Sequence, residues 1–222
     1  METTQNSALM TAELISVFGD DLMVVNAARS SFDKHSDELT ERDIKLINYL
    51  ASHKHTTPFR HPQLQFRVSV PIYIERQLFK HQVGMVASSI SGRYVDFSDQ
   101  YYYIQQFRYQ SESSKQGSAG ELPDVKNDEA LMWQQTAIEV CMRAYRKMID
   151  LGVAKEQART VLPLSLMTQF IWTGSLLAFI NLFNQRTAPD AQAETQDVAR
   201  LMLQAVIDSG KFTHSLKAHG YE

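Results

Sequence analysis

The chain has almost nothing with which to cross-link itself. Cys141 is its one cysteine, so an internal disulfide is impossible and the expectation is a reducing, cytoplasmic compartment. Surplus charge is missing as well: 22 Lys and Arg against 25 Asp and Glu leave a net charge of −3. That lacks the basic excess of a general nucleic-acid or membrane-surface binder, so any bound phosphate needs a local cluster of cations. Long apolar runs are absent too. The strongest candidate, 170–183, is interrupted by Thr173, Ser175 and Asn181 and falls short of a membrane span. The first residues show no basic-plus-apolar leader pattern, and no repeat or low-complexity segment stands out. What remains is 222 residues, 44% of them hydrophobic, which suits a single domain over 1–222 with a substantial core.

Several elements are legible from pattern. Residues 13–18 read as a first strand, Gly19-Asp20-Asp21 as a turn, and the residues through Ala28 as a helix. Thr40-Glu41-Arg42-Asp43 resembles a capping box ahead of a helix over 41–53 with Ile44, Ile47, Leu50 and Ala51 on one face. Leu64, Phe66, Val68 and Val70 alternate with polar residues, the mark of a half-buried antiparallel strand. Leu131, Ile138, Met142, Tyr145 and Ile149 recur at helical spacing up to Gly152. Cys141 lies on that apolar side, with no His or Asp adjacent, and reads as a core thiol. Residues 164–185 read as one long buried helix, and 191–207 as a further amphipathic one. The Ser- and Gly-rich stretch within about 110–122 is expected to be an exposed mobile loop.

Residues 71–94 carry the densest polar chemistry. Starting after Pro71, the pattern predicts a helix on which Gln77, Lys80, His81, Gly84, Ser88 and Ser91 share a face, with Val83, Val86 and Ile90 supplying apolar surface elsewhere. Gly84 would let a ligand approach the backbone. Ser91-Gly92-Arg93 then brings a hydroxyl, a permissive glycine and a guanidinium, the ingredients of an anion-binding turn. The same residues also fit a half-exposed helix with an ordinary glycine cap. Tyr94 and Tyr101 to Tyr103 can stack on a flat ring or pack on the core. His53, His55 and His61 lack a supporting carboxylate or thiolate cluster, so no metal site is expected. Arg93, Arg159 and Arg186 each sit beside a helix boundary or turn, which suits a phosphorylated ligand with a polar ring, or else separate surface ion pairs.

Four blocks of the chain together resemble the flavin-dependent thymidylate synthases: Ala27-Ala28-Arg29, the run from His55 to His61, Pro71 through Tyr94, and Ala158-Arg159 through Gln192. Arg76-Gln77, Ser91-Gly92-Arg93-Tyr94 and Val161-Leu162-Pro163 are close to verbatim. The resemblance implies an α+β fold, an antiparallel sheet with long helices, assembled as a homotetramer whose sites are shared between subunits. It implies reductive methylation of dUMP to dTMP, with methylenetetrahydrofolate giving the carbon and NADPH the hydride through FAD. The implied catalytic positions are Arg186, which stabilises the N3 anion of the pyrimidine, and Ser91. The implied dUMP contacts are Gln77, Lys80, Ser91, Gly92, Arg93, Arg159 and Arg186. Those to FAD are Thr57, Lys80, His81, Gln82, Ser89, Ser175 and Asn181. An arginine facing a ring anion acts electrostatically and needs no cysteine nucleophile, in keeping with the context of Cys141.

The chain departs from the family pattern at definite points. Lys80-His81-Gln82 stands where the family has Arg-His-Arg, and the spacing from Gln82 to Ser91 is one residue longer. If the segment is helical, that residue would enter as a π-bulge. Lys keeps a point charge without the planar fork, and Gln keeps no charge. Arg60 replaces an acidic residue, Ser88-Ser89 an Asn-Glu pair, and Ser175 a common Asn. Two other readings follow from these changes: a relative that modifies another pyrimidine nucleotide, and a nucleotide-binding protein that has lost the flavin.

Overall fold

The computed structural model describes residues 9–91, 100–112 and 117–221. In chain order the elements are β1 (Thr11–Phe18), α1 (Asp21–Arg29), α2 (Glu41–Ser52), β2 (Gln63–Pro71), α3 (Ile72–Leu78), β3 (Met85–Ser89), β4 (Arg108–Gln110) and β5 (Ser118–Glu121). They continue with α4 (Asp124–Asp150), α5 (Lys155–Ala158), β6 (Met167–Ser175), α6 (Leu176–Arg186), α7 (Ala193–Asp208) and α8 (Thr213–Ala218). Four strands form a sheet in the order β1-β2-β6-β3. The Ser175 amide donates to Gly84 O at 3.1 Å and the Ile90 amide to Gln169 O at 2.8 Å, so β3 and β6 run in opposite directions. The fold is mixed α/β with an antiparallel sheet, as expected.

The chain divides into two compact units, each assembled from separated segments. One comprises Thr11–Val68, Leu78–Ser88 and Phe170–Glu222. Its core is aromatic: Trp172, 1% exposed, has ring centroids 5.8 Å from Phe170, 5.7 Å from Phe179 and 6.1 Å from Phe79. Most of these pairs are edge-on or tilted, the arrangement favoured by the ring quadrupole. Helix α7 packs on β1 and α6, and α2 packs on α1 and α8. The start of α2 is closed by Asp43, whose carboxylate accepts from the Thr40 amide at 2.9 Å and the Thr40 hydroxyl at 2.6 Å. Arg29 forms an ion pair with the same Asp43, so this arginine ties α1 to α2. Asp21, buried, accepts from the His214 and Ser215 amides at 2.7 and 2.9 Å and joins the starts of α1 and α8.

The other unit comprises Met1–Met10, Ser69–Gln77 and Ser89–Gln169. Ile138, Met142 and Tyr145 on α4 pack with Tyr101, Tyr103, Ala158 and Leu166. Packing on the core is thus the role of Tyr101 and Tyr103, whereas Tyr94 lies outside the described residues. Strands β4 and β5 pair antiparallel, so the stretch expected to be one mobile loop has paired strands at its ends.

Three expectations are overturned. The helix after Pro71 ends at Leu78 and the chain becomes β3. Gly84 takes a positive φ of 74°, a backbone turn that continues no helix. The extra residue between Gln82 and Ser91 therefore falls in a turn and strand, with no π-bulge, and the polar positions share no helix face. A Cβ on Gly84 would sit 3.3 Å from Ser175 Oγ, so this glycine serves backbone geometry and packing within the unit. Val83, Val86 and Ile90 are exposed, Val83 by 87%. Lastly, 164–185 is a strand followed by a helix. Its apolar run satisfies either period, and the β-branched and aromatic residues from Thr168 to Thr173 decide for strand because β2 and β3 flank it.

Candidate functional site

Helix α6 is held rigidly at both ends. Ser175 caps it, its Oγ accepting from the Ala178 amide at 3.3 Å, and the seven buried residues of α6 leave the first two turns no freedom. At the other end the Thr187 amide and hydroxyl both donate to Phe183 O, at 2.9 and 2.8 Å. Tyr221 lays its ring edge-on against Phe183, centroids 6.2 Å apart, and its hydroxyl donates to Asn184 Oδ1 at 2.5 Å. Arg186 is the last residue of this braced helix, where the negative end of the dipole favours a cation.

Arg186 Nε donates to His81 Nε2 at 2.9 Å. His81 lies in the turn that follows α3, its amide donating to Leu78 O at 3.0 Å. Burial, and then the Arg186 guanidinium, hold the imidazole below its usual range. Lys80 and Gln82 on either side of His81 are exposed. Within the same unit Thr57 is exposed at the start of the single turn Pro58–Arg60, and Asn181 is exposed on α6. Asn181 and Asn184 fall within the stretch read from sequence as a buried helix, but both face solvent. Thr57, Lys80, Gln82 and Asn181 are thus each exposed, within one unit of the chain. Ser175 is buried and already accepts as the helix cap, so a cofactor contact there would use its hydroxyl hydrogen or its second lone pair.

In the other unit Gln77 is half-buried in the last turn of α3, Ser91 is half-buried after β3, and Arg159 is exposed at the one-turn helix following α5. Gly92 and Arg93 lie outside the described residues. Ser89 Oγ donates to Glu75 Oε1 at 2.8 Å. Burial pushes the Glu75 carboxyl up, against the opposing pull of Ser89 and Arg76. Pattern reading missed Glu75, although it is the one acidic residue between Pro71 and Tyr94. Among the described residues no three His, Cys, Asp or Glu side chains gather to hold a metal. His53 instead stacks on Tyr49, with ring centroids 4.0 Å apart. No helix among the described residues is long and apolar enough to cross a membrane.

A family model described as "Thymidylate synthase complementing protein" matches residues 13–209. The flavin-dependent thymidylate synthase of Kosmotoga olearia is 38% identical over 186 residues, 84% of this chain and 80% of the relative. That of Thermosipho melanesiensis is 39% identical over 187 residues, with the same two coverages, and that of Thermus thermophilus 38% over 193 residues, 87% and 70% of the two chains. Among solved structures, the UMP/dUMP methylase PolB from Streptomyces cacaoi, bound with 5-Br dUMP, superposes with a TM-score of 0.84 at 27% identity, over 96% of this chain and 95% of that one. The same methylase bound with 5-Br UMP gives 0.81 at 27% identity. The chain belongs to the flavin-dependent thymidylate synthase family.

Proposed function

We propose that this enzyme methylates dUMP to dTMP, with methylenetetrahydrofolate as carbon donor and NADPH as reductant through FAD. The observation that carries the reading is the likeness, over 96% of this chain, to a methylase seen with 5-Br dUMP. Arg186, at the end of α6 and bonded to His81, supports it. In this reading Arg186 stabilises the negative charge that develops on the pyrimidine ring, electrostatic preorganisation of the kind worth about a hundredfold to a thousandfold in rate per donor. Ser91, Gly92 and Arg93 hold the nucleotide phosphate, with Gln77, Lys80 and Arg159 as further nucleotide contacts. Thr57, Lys80, His81, Gln82 and Asn181, with Ser89 and Ser175, would hold FAD, which when bound supplies hydride transfer. Cys141, half-buried on α4, has no part in the reaction.

The enzyme acts as one domain in the cytoplasm, assembled as a homotetramer with sites shared between subunits. Support for self-association comes from Val125, Met132, Trp133 and Val140, all exposed on α4. Light scattering of the purified protein reads the assembly directly.

The deciding experiment takes absorption spectra of the FAD-loaded protein with and without dUMP, then assays dTMP formed from methylenetetrahydrofolate and NADPH. A yellow protein whose flavin spectrum shifts on adding dUMP, and which makes dTMP, supports the reading. Binding of dUMP without any dTMP overturns it. A second reading, UMP as a substrate, is favoured by the structural neighbour being a UMP/dUMP methylase. Parallel assays with UMP and dCMP separate it from the first.

A further inference from the structure

We infer that His81 is the positioning residue for Arg186: its neutral imidazole fixes the plane of the guanidinium while bringing no negative charge of its own. The inference rests on the reading of Arg186 as the group that meets the pyrimidine anion. The bond runs from Arg186 Nε to His81 Nε2 at 2.9 Å. Because Nε carries the hydrogen, Nε2 must carry the lone pair, which puts the imidazole proton on Nδ1. The lowered proton affinity of His81, caused by burial and then by Arg186 itself, keeps it in that form.

The choice of partner matters. A carboxylate would hold the guanidinium more strongly, but its own charge would cancel much of the field at the point where a ring anion develops. An imidazole gives direction without that cancellation. It also engages Nε, the single-hydrogen corner of the guanidinium, so the bond restrains rotation of the plane. An unanchored arginine loses rotamer freedom when it binds, and anchoring removes much of that loss before substrate arrives. Both partners are built for it. His81 is half-buried between two exposed neighbours, and Arg186 ends a helix whose last turn is braced by Thr187 and Tyr221.

The test compares His81→Leu, His81→Gln and His81→Glu, reading bound FAD by absorbance, dUMP affinity by titration calorimetry, and dTMP turnover. Leu removes the acceptor, and turnover should fall about a hundredfold, the order seen when a reacting group is misplaced by an ångström. Gln places an oxygen near the Nε2 position and should recover turnover to within about tenfold of the unmodified enzyme. Glu offers the same oxygen with a charge and should do no better than Leu. Bound FAD is measured in each variant and turnover is compared at full FAD loading, because His81 is also placed among the cofactor contacts. A double-mutant cycle supplies a readout independent of turnover: His81→Leu should weaken dUMP binding in the unmodified chain, yet add nothing when Arg186 is already Ala. Equal losses in all three variants together with loss of FAD would assign His81 to the cofactor alone and overturn the inference. Glu performing as well as Gln, or additive effects in the cycle, would do the same. If the unmodified enzyme binds dUMP but makes no methylated product, the functional reading fails by itself, and the binding cycle still decides whether His81 and Arg186 act as one unit.

Discussion

Two stretches of similar length fold in opposite order. Residues 72–89 run helix then strand, α3 into β3, whereas residues 167–186 run strand then helix, β6 into α6. The second is walled in: β6 lies between β2 and β3, and Trp172, Phe179 and Phe183 are buried. The first ends on the sheet edge, and its strand is almost wholly exposed. The difference separates two duties. The buried stretch presents Arg186 from a fixed frame, and the exposed one carries the polar side chains of Lys80, Gln82, Ser88 and Ser89. His81, half-buried between exposed Lys80 and Gln82, is the member of that triplet bonded to the rigid stretch.

The comparison breaks first at Arg186. Arg186→Ala should lower dTMP turnover by about a thousandfold or more, since it removes the principal charge facing the ring. Lys80→Ala on the exposed stretch should lower it less and mainly weaken FAD or nucleotide affinity. Equal kinetic losses would mean that catalytic weight is spread over both stretches.

Stability should divide the same way. Trp172→Ala should cost about 3–5 kcal/mol by chemical denaturation, because a large buried ring leaves a cavity among three other aromatic rings. Val86→Ala on β3 should change stability by less than about 0.5 kcal/mol. A large cost at Val86 would show that β3 is covered in the assembled protein. Ser175→Ala should cost about 1 kcal/mol through loss of the α6 cap, with Ser175→Asp restoring most of it. Ser175→Ala that leaves stability unchanged but lowers bound FAD would assign the hydroxyl to the cofactor instead.

How much of this was legible depended on how local the signal was. Strands with clean alternation, such as Leu64 to Val70, and helices with caps, such as Thr40 to Ser52, stand in the structure within a residue or two of where the pattern puts them. The two mixed stretches were each read as a single helix. In 164–185 the residues are apolar on every side, so periodicity has no contrast to report, and only the flanking strands select the extended form. In 71–94 the polar positions do fall three or four apart, but Gly84 adopts a left-handed turn that spacing cannot foresee. For the site, expectations for single residues were readable through the family blocks. The bond between His81 and Arg186 was not, since 105 positions separate them in sequence. Glu75 was overlooked because a lone carboxylate beside Arg76 looks like an ordinary surface charge until its burial is known.

The smallest expected effect sharpens the contrast at that overlooked residue. Glu75 is half-buried, and its carboxyl is pushed above its ordinary value chiefly by burial. The folded chain therefore holds this proton more tightly than the unfolded chain does. Between the unfolded value and the raised folded value the native state binds more protons, so stability falls as pH rises through that window and remains lower above it. Glu75→Gln keeps an oxygen to accept from Ser89 Oγ and removes the ionisation. The variant should match the unmodified protein in acid, where both side chains are neutral, and be the more stable of the two at neutral pH. Solvent contact screens the effect, so paired denaturation curves at the two pH values are needed to read it. A Gln variant less stable at neutral pH would show that the ionised carboxylate is held by a favourable partner, and that the exposed stretch keeps a charge at Glu75 to serve the nucleotide chemistry around Ser91.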